Sequence, residues 1–452
     1  MKTCAGNRIR GAALVLAAAA AIVPLVASAS AGSVGRWTQI TRAHNGAKSN
    51  LGLARGKDGA LHVLWAGPAR GPFTAIFDTS ISPAGIAGKP QAVVSGWNSV
   101  QPPAAVAAPD GSIHVLISGQ KVLATTDPYA GLNEAVGPGS WSLGAQAFGK
   151  YQLTVPSNAD VGTALLKSGQ LVSVWRSATT LLFETGIDPS VQPQNITPPG
   201  LAESPVIAVD HGNGDAVIAY RDATSGTAFF RRLLPSLGAP QEMPQAKVQA
   251  PTIAARAGGG VFSVYAPDAA RVLLLRFGGK ARPVPVPKGV QVLTAGLAAG
   301  PEGRLWVYYG NERQTFVTRT SKSTSSFEPP QIFASPPKTV QLFRLEGEGS
   351  AGPLDLFSDV TVDGATRDGS YQTHVFPQLS LRAAKSGTRL TVRVTDAGDP
   401  VAGARVTGLP GGAKTTDASG SVAVTVPAGQ KTSFVLTATK AGYLPAKGKA
   451  SS

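Results

Sequence analysis

Lys57-Asp58-Gly59-Ala60-Leu61-His62-Val63-Leu64-Trp65 returns fifty-two residues later as Pro109-Asp110-Gly111-Ser112-Ile113-His114-Val115-Leu116-Ile117. In both, a turn pair ending in glycine leads into an apolar strand. Asp-Gly suits a two-residue hairpin turn, in which both central residues take φ > 0. The same frame recurs at Ser168-Gly169, Asn213-Gly214, Gly258-Gly259 and Glu302-Gly303, and in weaker form at Ala351-Gly352. The glycine-to-glycine steps are 52, 58, 45, 45, 44 and 49 residues. Such a period matches a four-stranded propeller blade, whereas a sandwich has turns every 8–12 residues without a longer period.

The fold expected is therefore all-β: a seven-bladed propeller, or six-bladed if the copy at Gly352 is discounted. In the fourth copy, strand a is read at 205–209, b at 215–220, c at 227–233 and a short outer strand d at 240–243. Pro-Gln pairs at Pro90-Gln91, Pro193-Gln194, Pro240-Gln241 and Pro330-Gln331 mark outer strands. Proline lacks the N–H that an interior ladder needs, so it belongs at a sheet edge. The seventh copy supplies strands near 340–345, 354–357 and 371–375 but no outer one. Trp37-Thr38-Gln39-Ile40 is expected to fill that place and close the ring.

The chain has 452 residues and a formal net charge of +15. Lys2, Arg8 and Arg10 precede an apolar run from Gly11 to Val26 and the small residues 27–31, the pattern of a cleavable signal peptide over residues 1–31. Its removal leaves +12 and eliminates Cys4, the chain's one cysteine, so disulfides and cysteine catalysis are not expected. The divisions are 1–31 signal peptide, 32–376 propeller and 377–452 a small β-sandwich. That last segment carries ten Lys/Arg against three Asp, a charge able to attract anionic envelope polymers. A secreted or cell-surface monomer is expected, with no membrane span after cleavage, no nucleic-acid partner and no cofactor.

Gly398 to Val406, Thr415 to Gly420 and Ala441-Gly442-Tyr443 resemble the immunoglobulin-like modules of bacterial surface proteins and the carboxypeptidase regulatory-like domain. That resemblance implies a spacer or adhesion unit. Ala107 to Val115 and Ala219-Tyr220-Arg221-Asp222 resemble the secreted bacterial sialidase-like (BNR-repeat) propellers. Sialidases of that group use an arginine triad, a Tyr/Glu nucleophile pair and an Asp acid/base. Their Phe/Tyr-Arg-Ile-Pro start and their Asp boxes are absent from this sequence, which weighs against catalysis.

Loops after strands b and d share one propeller face. They offer Arg70, Trp97, Tyr151, Arg176, Arg221, Asp222, Glu312 and Arg313 as candidate ligand-binding residues. Arginine forks pair with carboxylate or sulfate, and aromatics pack on sugar rings. No catalytic residue is assigned. His62 and His114 share one repeat position and read as strand residues. Asp210 to Asp215 holds several oxygen-bearing side chains, but the spacing misses an EF-hand. The function these features support is recognition or scaffolding, with a glycan, an envelope polymer or another exported protein as partner. The alternative is a divergent sialidase-like glycoside hydrolase acting on acidic glycans.

Overall fold

The computed structural model describes residues 36–41, 50–122, 127, 129–147, 160–177, 180–188, 190–196, 202–244, 250–363, 368–427 and 433–450. The leader expected at 1–31 lies outside these residues. Among the described residues no helix is long and apolar enough to cross a membrane.

Among the described residues seven antiparallel sheets follow one another along the chain, then two more in the tail. The fourth has strands Ala202–Val209, Ala216–Asp222, Ala228–Leu234 and Gln241–Glu242, hydrogen-bonded in that order. Innermost strands are Gly52–Arg55, Ala104–Ala107, Val161–Leu165, Ala202–Val209, Thr252–Ala255, Thr294–Ala299 and Thr339–Glu348. Each touches the next, and the last touches the first, so the ring is closed. The second sheet is five-stranded, because Ser99–Val100 also pairs with Ile113–Gln120.

The closing sheet takes its outer strand from the N-terminus: Thr38 pairs with Gln372 and Gln39 with Tyr371. Ile40 N–H donates to Ser370 O at 2.9 Å, and Ser370 N–H donates to Thr41 Oγ1 at 2.9 Å. Outer strands in four other blades start at the glutamine of a Pro-Gln pair: Gln91–Trp97, Gln194–Ile196, Gln241–Glu242 and Gln331–Ala334. The missing proline N–H thus falls just outside the ladder.

The hairpin between strands a and b differs from the two-residue turn expected in the first two copies, whereas in the sixth Glu302 and Gly303 both take positive φ as expected. All seven repeat glycines have φ between 76° and 122°, but Asp58 and Asp110 do not share the left-handed region. Gly59 N–H donates to Gly56 O and Gly56 N–H to Ala60 O. This is a type I turn followed by a left-handed glycine, the usual three-residue hairpin loop. The aspartate serves as an acceptor instead: Asp58 Oδ1 takes Ala60 N–H at 3.0 Å, and Asp110 Oδ1 takes Ser112 N–H at 2.8 Å.

Every seam between adjacent blades holds a buried apolar cluster. Leu116, Leu132, Val161 and Trp175 fill the seam between blades two and three. Ile40, Leu61, Val63, Trp65, Ile81 and Phe357 fill the closing seam. That seam is also pinned by charge, since Arg55 reaches both Glu348 and Asp355 of the last blade. His62 and His114 lie on strand b and bond across to strand c, to Asp78 at 2.8 Å and Glu134 at 2.5 Å. Asp210 Oδ1 accepts from Gly212 N–H at 2.7 Å and from Gly260 N–H at 2.9 Å. It ties two blades together, and among the described residues no cluster of three or more metal-ligating side chains occurs.

The tail is a sandwich of two sheets. One contains Ser380–Ser386, Arg389–Asp396, Asp399–Pro400 and Ser421–Thr425; the other Lys414–Thr415, Arg405–Thr407, Phe434–Thr439 and Ala446–Ala450. Alternate residues such as Leu390, Val392 and Val394 point into a core shared with Val406, Leu436 and Ala438. Charge joins the sandwich to the propeller. Arg319 of the sixth blade bonds Asp396, and Arg304 lies 2.8 Å from Asp399 and 3.6 Å from Asp396. The Arg319 guanidinium also sits 5.0 Å from the Trp306 ring centroid and 5.9 Å from that of Tyr443.

Candidate functional site

The innermost strands crowd around the propeller axis, so small residues line it. A Cβ added at Gly52 would meet Ala105 Cβ at 3.2 Å and Pro103 O at 3.3 Å. One at Gly162 would meet Pro205 O at 3.2 Å and Ile207 N at 3.3 Å. Between these strands lies a cavity of about 440 Å³, walled by residues including Leu51, Gly52, Ala105, Gly162, Ile253 and Ala295. Its charged residues are Arg221, Arg344 and Glu346.

Arg221 is the penultimate residue of strand b of the fourth blade. Its Nη1 lies 3.3 Å from Glu203 Oε1, and its Nε donates to Gly226 O at 3.3 Å. Arg344 and Glu346 come from the innermost strand of the last blade, one residue apart in the alternation that turns Leu345 into the core. Arg344 Nη1 lies 3.7 Å from Glu346 Oε1, and Glu346 Oε2 accepts Leu51 N–H at 2.9 Å. Burial, reinforced by the nearby Asp359 charge and only partly opposed by Arg344, pushes the Glu346 carboxyl well above the usual carboxylate range.

Two further features mark this wall. Ser204 has φ 49° although it is not glycine and precedes Pro205, where extended backbone is preferred. Its N–H donates to Asp160 Oδ2 at 2.9 Å. Strained backbone of this kind persists where surrounding structure enforces it and often accompanies binding sites. Asn50 Oδ1 and Thr252 Oγ1, both on the cavity wall, are buried oxygen atoms without a hydrogen-bond partner among the described residues.

Tyr308 also borders the cavity, but its hydroxyl donates to Leu297 O at 3.3 Å. Burial pushes its phenol far above the usual range. A phenolate nucleophile of the sialidase kind is therefore strongly disfavoured at this tyrosine.

Of the expected residues that the structure describes, Arg221 alone lines the cavity. Arg70 and Arg313 are exposed on loops, and Arg176 and Glu312 are half-buried outside the cavity lining. Trp97 requires correction: it is 1% exposed, packed in the seam between the first two blades with its ring 5.9 Å from that of Tyr129, so no face is free for a sugar. Asp222 is buried too, and its Oδ1 accepts Thr224 N–H at 2.8 Å and Ser225 N–H at 3.0 Å, a turn-forming role. Tyr151 lies outside the described residues. Sequence reading missed Glu203, Ser204, Arg344 and Glu346. The signal for the last two was present: Arg344-Leu345-Glu346 puts alternating charges on a strand already read as innermost.

No known protein family's sequence profile and no curated protein matches the chain, so no sequence family stands behind the sialidase-like (BNR-repeat) resemblance. Among solved structures, virginiamycin B lyase from Staphylococcus aureus aligns at 11% identity over 75% of this chain and 98% of that one, with TM-score 0.44. The polysaccharide lyase Uly1 aligns at 9% identity over 75% and 92%, with TM-score 0.44. The Hadza microbial sialidase Hz136 aligns at 10% identity over 72% and 65%, again with TM-score 0.44.

Proposed function

We propose that this chain is an exported recognition propeller whose channel holds an anionic group, a carboxylate or sulfate carried by a glycan or by another protein, between Arg221 and Arg344. The observation that carries this reading is the cavity itself. Two arginines from different blades line it, beside a Glu346 carboxyl whose burial favours the protonated form. Guanidinium forks are suited to carboxylate and sulfate. The strained Ser204 and the unpartnered oxygens of Asn50 and Thr252 support it as further recognition points. Export is supported by the basic, apolar leader at 1–31.

A glycan array of carboxylated, sulfated and neutral glycans tests the class of ligand. Calorimetry on the best binder then compares Arg221→Gln and Arg344→Gln with the parent. Each substitution should weaken binding about tenfold or more, the scale of one lost charge-assisted hydrogen bond. Unchanged affinity in both variants would refute the reading.

Sialidase-type hydrolysis is the second reading, favoured by one observation: Glu346 is a carboxyl on the cavity wall whose burial favours the protonated form, as a general acid requires. Turnover of a fluorogenic sialoside by the parent, abolished in Glu346→Gln, would establish it.

A further inference from the structure

A second cavity, of about 650 Å³, lies where the sandwich meets the sixth blade, away from the channel. The propeller contributes Phe327 and Glu328; the sandwich contributes Arg382, Arg393 and Lys447. Arg382 and Arg393 are direct cross-strand partners. Both are exposed, and neither has an ion-pair partner among the described residues. Like charges placed opposite each other on adjacent strands repel, and an anion between them would relieve that repulsion. Glu328 is 1% exposed, and its Oε1 has no hydrogen-bond partner. Its Oε2 accepts Gln378 N–H at 3.3 Å.

We infer that this seam is a separate binding site for a carboxylate- or sulfate-bearing ligand, gripped by Arg382 and Arg393 with Lys447 beside them and met by the Glu328 carboxyl as a hydrogen-bond donor. The donor role requires a protonated carboxyl. Burial pushes Glu328 up to about 8 against the opposing influence of Arg319 and Arg304, with the Asp396 charge adding to the rise. Above that pH the ionised carboxylate would repel the ligand, while Arg382, Arg393 and Lys447 still face the cavity.

The test uses the full chain with the channel silenced by Arg221→Gln and Arg344→Gln, and titrates it with a short oligogalacturonate, an oligosaccharide of chondroitin sulfate and a neutral dextran. Binding of an acidic probe, but not dextran, is expected near neutral pH. Adding Arg382→Gln and Arg393→Gln should weaken it about tenfold or more, with no fall in melting temperature because the removed charges repel each other. Arg389→Gln, on the same strand outside this cavity, should leave affinity unchanged. Affinity should fall as pH rises through about 8, and Glu328→Gln should remove that fall. The inference is overturned if neither acidic probe binds, if Arg382→Gln with Arg393→Gln changes nothing, or if Arg389→Gln weakens binding equally.

Discussion

Arg319, on the third strand of the sixth blade, bonds directly to Asp396, at the end of a strand in the sandwich; their side chains are 3% and 1% exposed. Arg304 faces the same carboxylate, and Tyr443 donates its hydroxyl to it at 3.2 Å. Asp396 thus pairs with Arg319 and shares Arg304 with Asp399 across the domain boundary.

Replacing that acid strands Arg319, while Arg304 keeps Asp399 at 2.8 Å. Asp396→Asn should lower stability by about 3–5 kcal/mol, the usual cost of removing one member of a buried pair. Urea unfolding followed by fluorescence measures the loss. Calorimetry should also show the propeller and sandwich melting in separate steps, because the same acid couples them.

Ring closure provides an independent check. Ile40 is 7% exposed and packs with Leu61, Trp65 and Phe357. Ile40→Ala should cost about 2–5 kcal/mol, whereas truncating Ile332, exposed on an outer strand, should cost far less. Equal effects in denaturant melts would argue that the N-terminal strand does not secure the last blade.

The acid at the seam makes stability fall with pH. Glu328 is raised from 4.5 to about 8 on folding, so the folded state holds its proton more tightly than the unfolded chain does. Its contribution is fully present below pH 4.5 and is lost progressively up to about 8, with a slope of at most about 1.4 kcal/mol per pH unit. Glu328→Gln should flatten that part of the profile and raise relative stability at alkaline pH. Melting temperatures recorded across this range decide it.

Channel packing is tight enough to be probed with one methyl group. A Cβ on Gly296 would lie 2.0 Å from the Tyr308 ring, so Gly296→Ala must displace that ring or the strand beneath it. The expected cost is about 1–3 kcal/mol, together with a changed near-ultraviolet tyrosine spectrum. An unaltered spectrum would show that the tyrosine already has room.

Architecture was readable because it repeats. The turn glycines, the Pro-Gln starts of outer strands and the missing last strand each carry a backbone constraint that side chains reveal directly. Strands b and c of the fourth blade were placed within two residues of their observed limits, and Thr38–Gln39 took the place reserved for it. Site residues were harder, because their position along a strand does not tell which way they point or what covers them. Trp97 sits at the end of an outer strand, on the face chosen for binding, yet folds inward over Gly119. Arg221 was found because strand b ends at the channel face. The partnership of Arg382 with Arg393 depends on the register of two strands, which alternation alone does not fix.

Pairing Thr38 with Gln372 also sets the timetable of assembly. A ribosome or a translocation pore delivers the chain from its beginning, so the first strand waits through more than three hundred residues before its partner arrives. Until then the early blades stand as an open arc with a bare apolar sheet face at each end, a form prone to joining the wrong neighbour. Completion comes as a single late event, which makes holding chaperones most useful to this molecule before its final blade emerges.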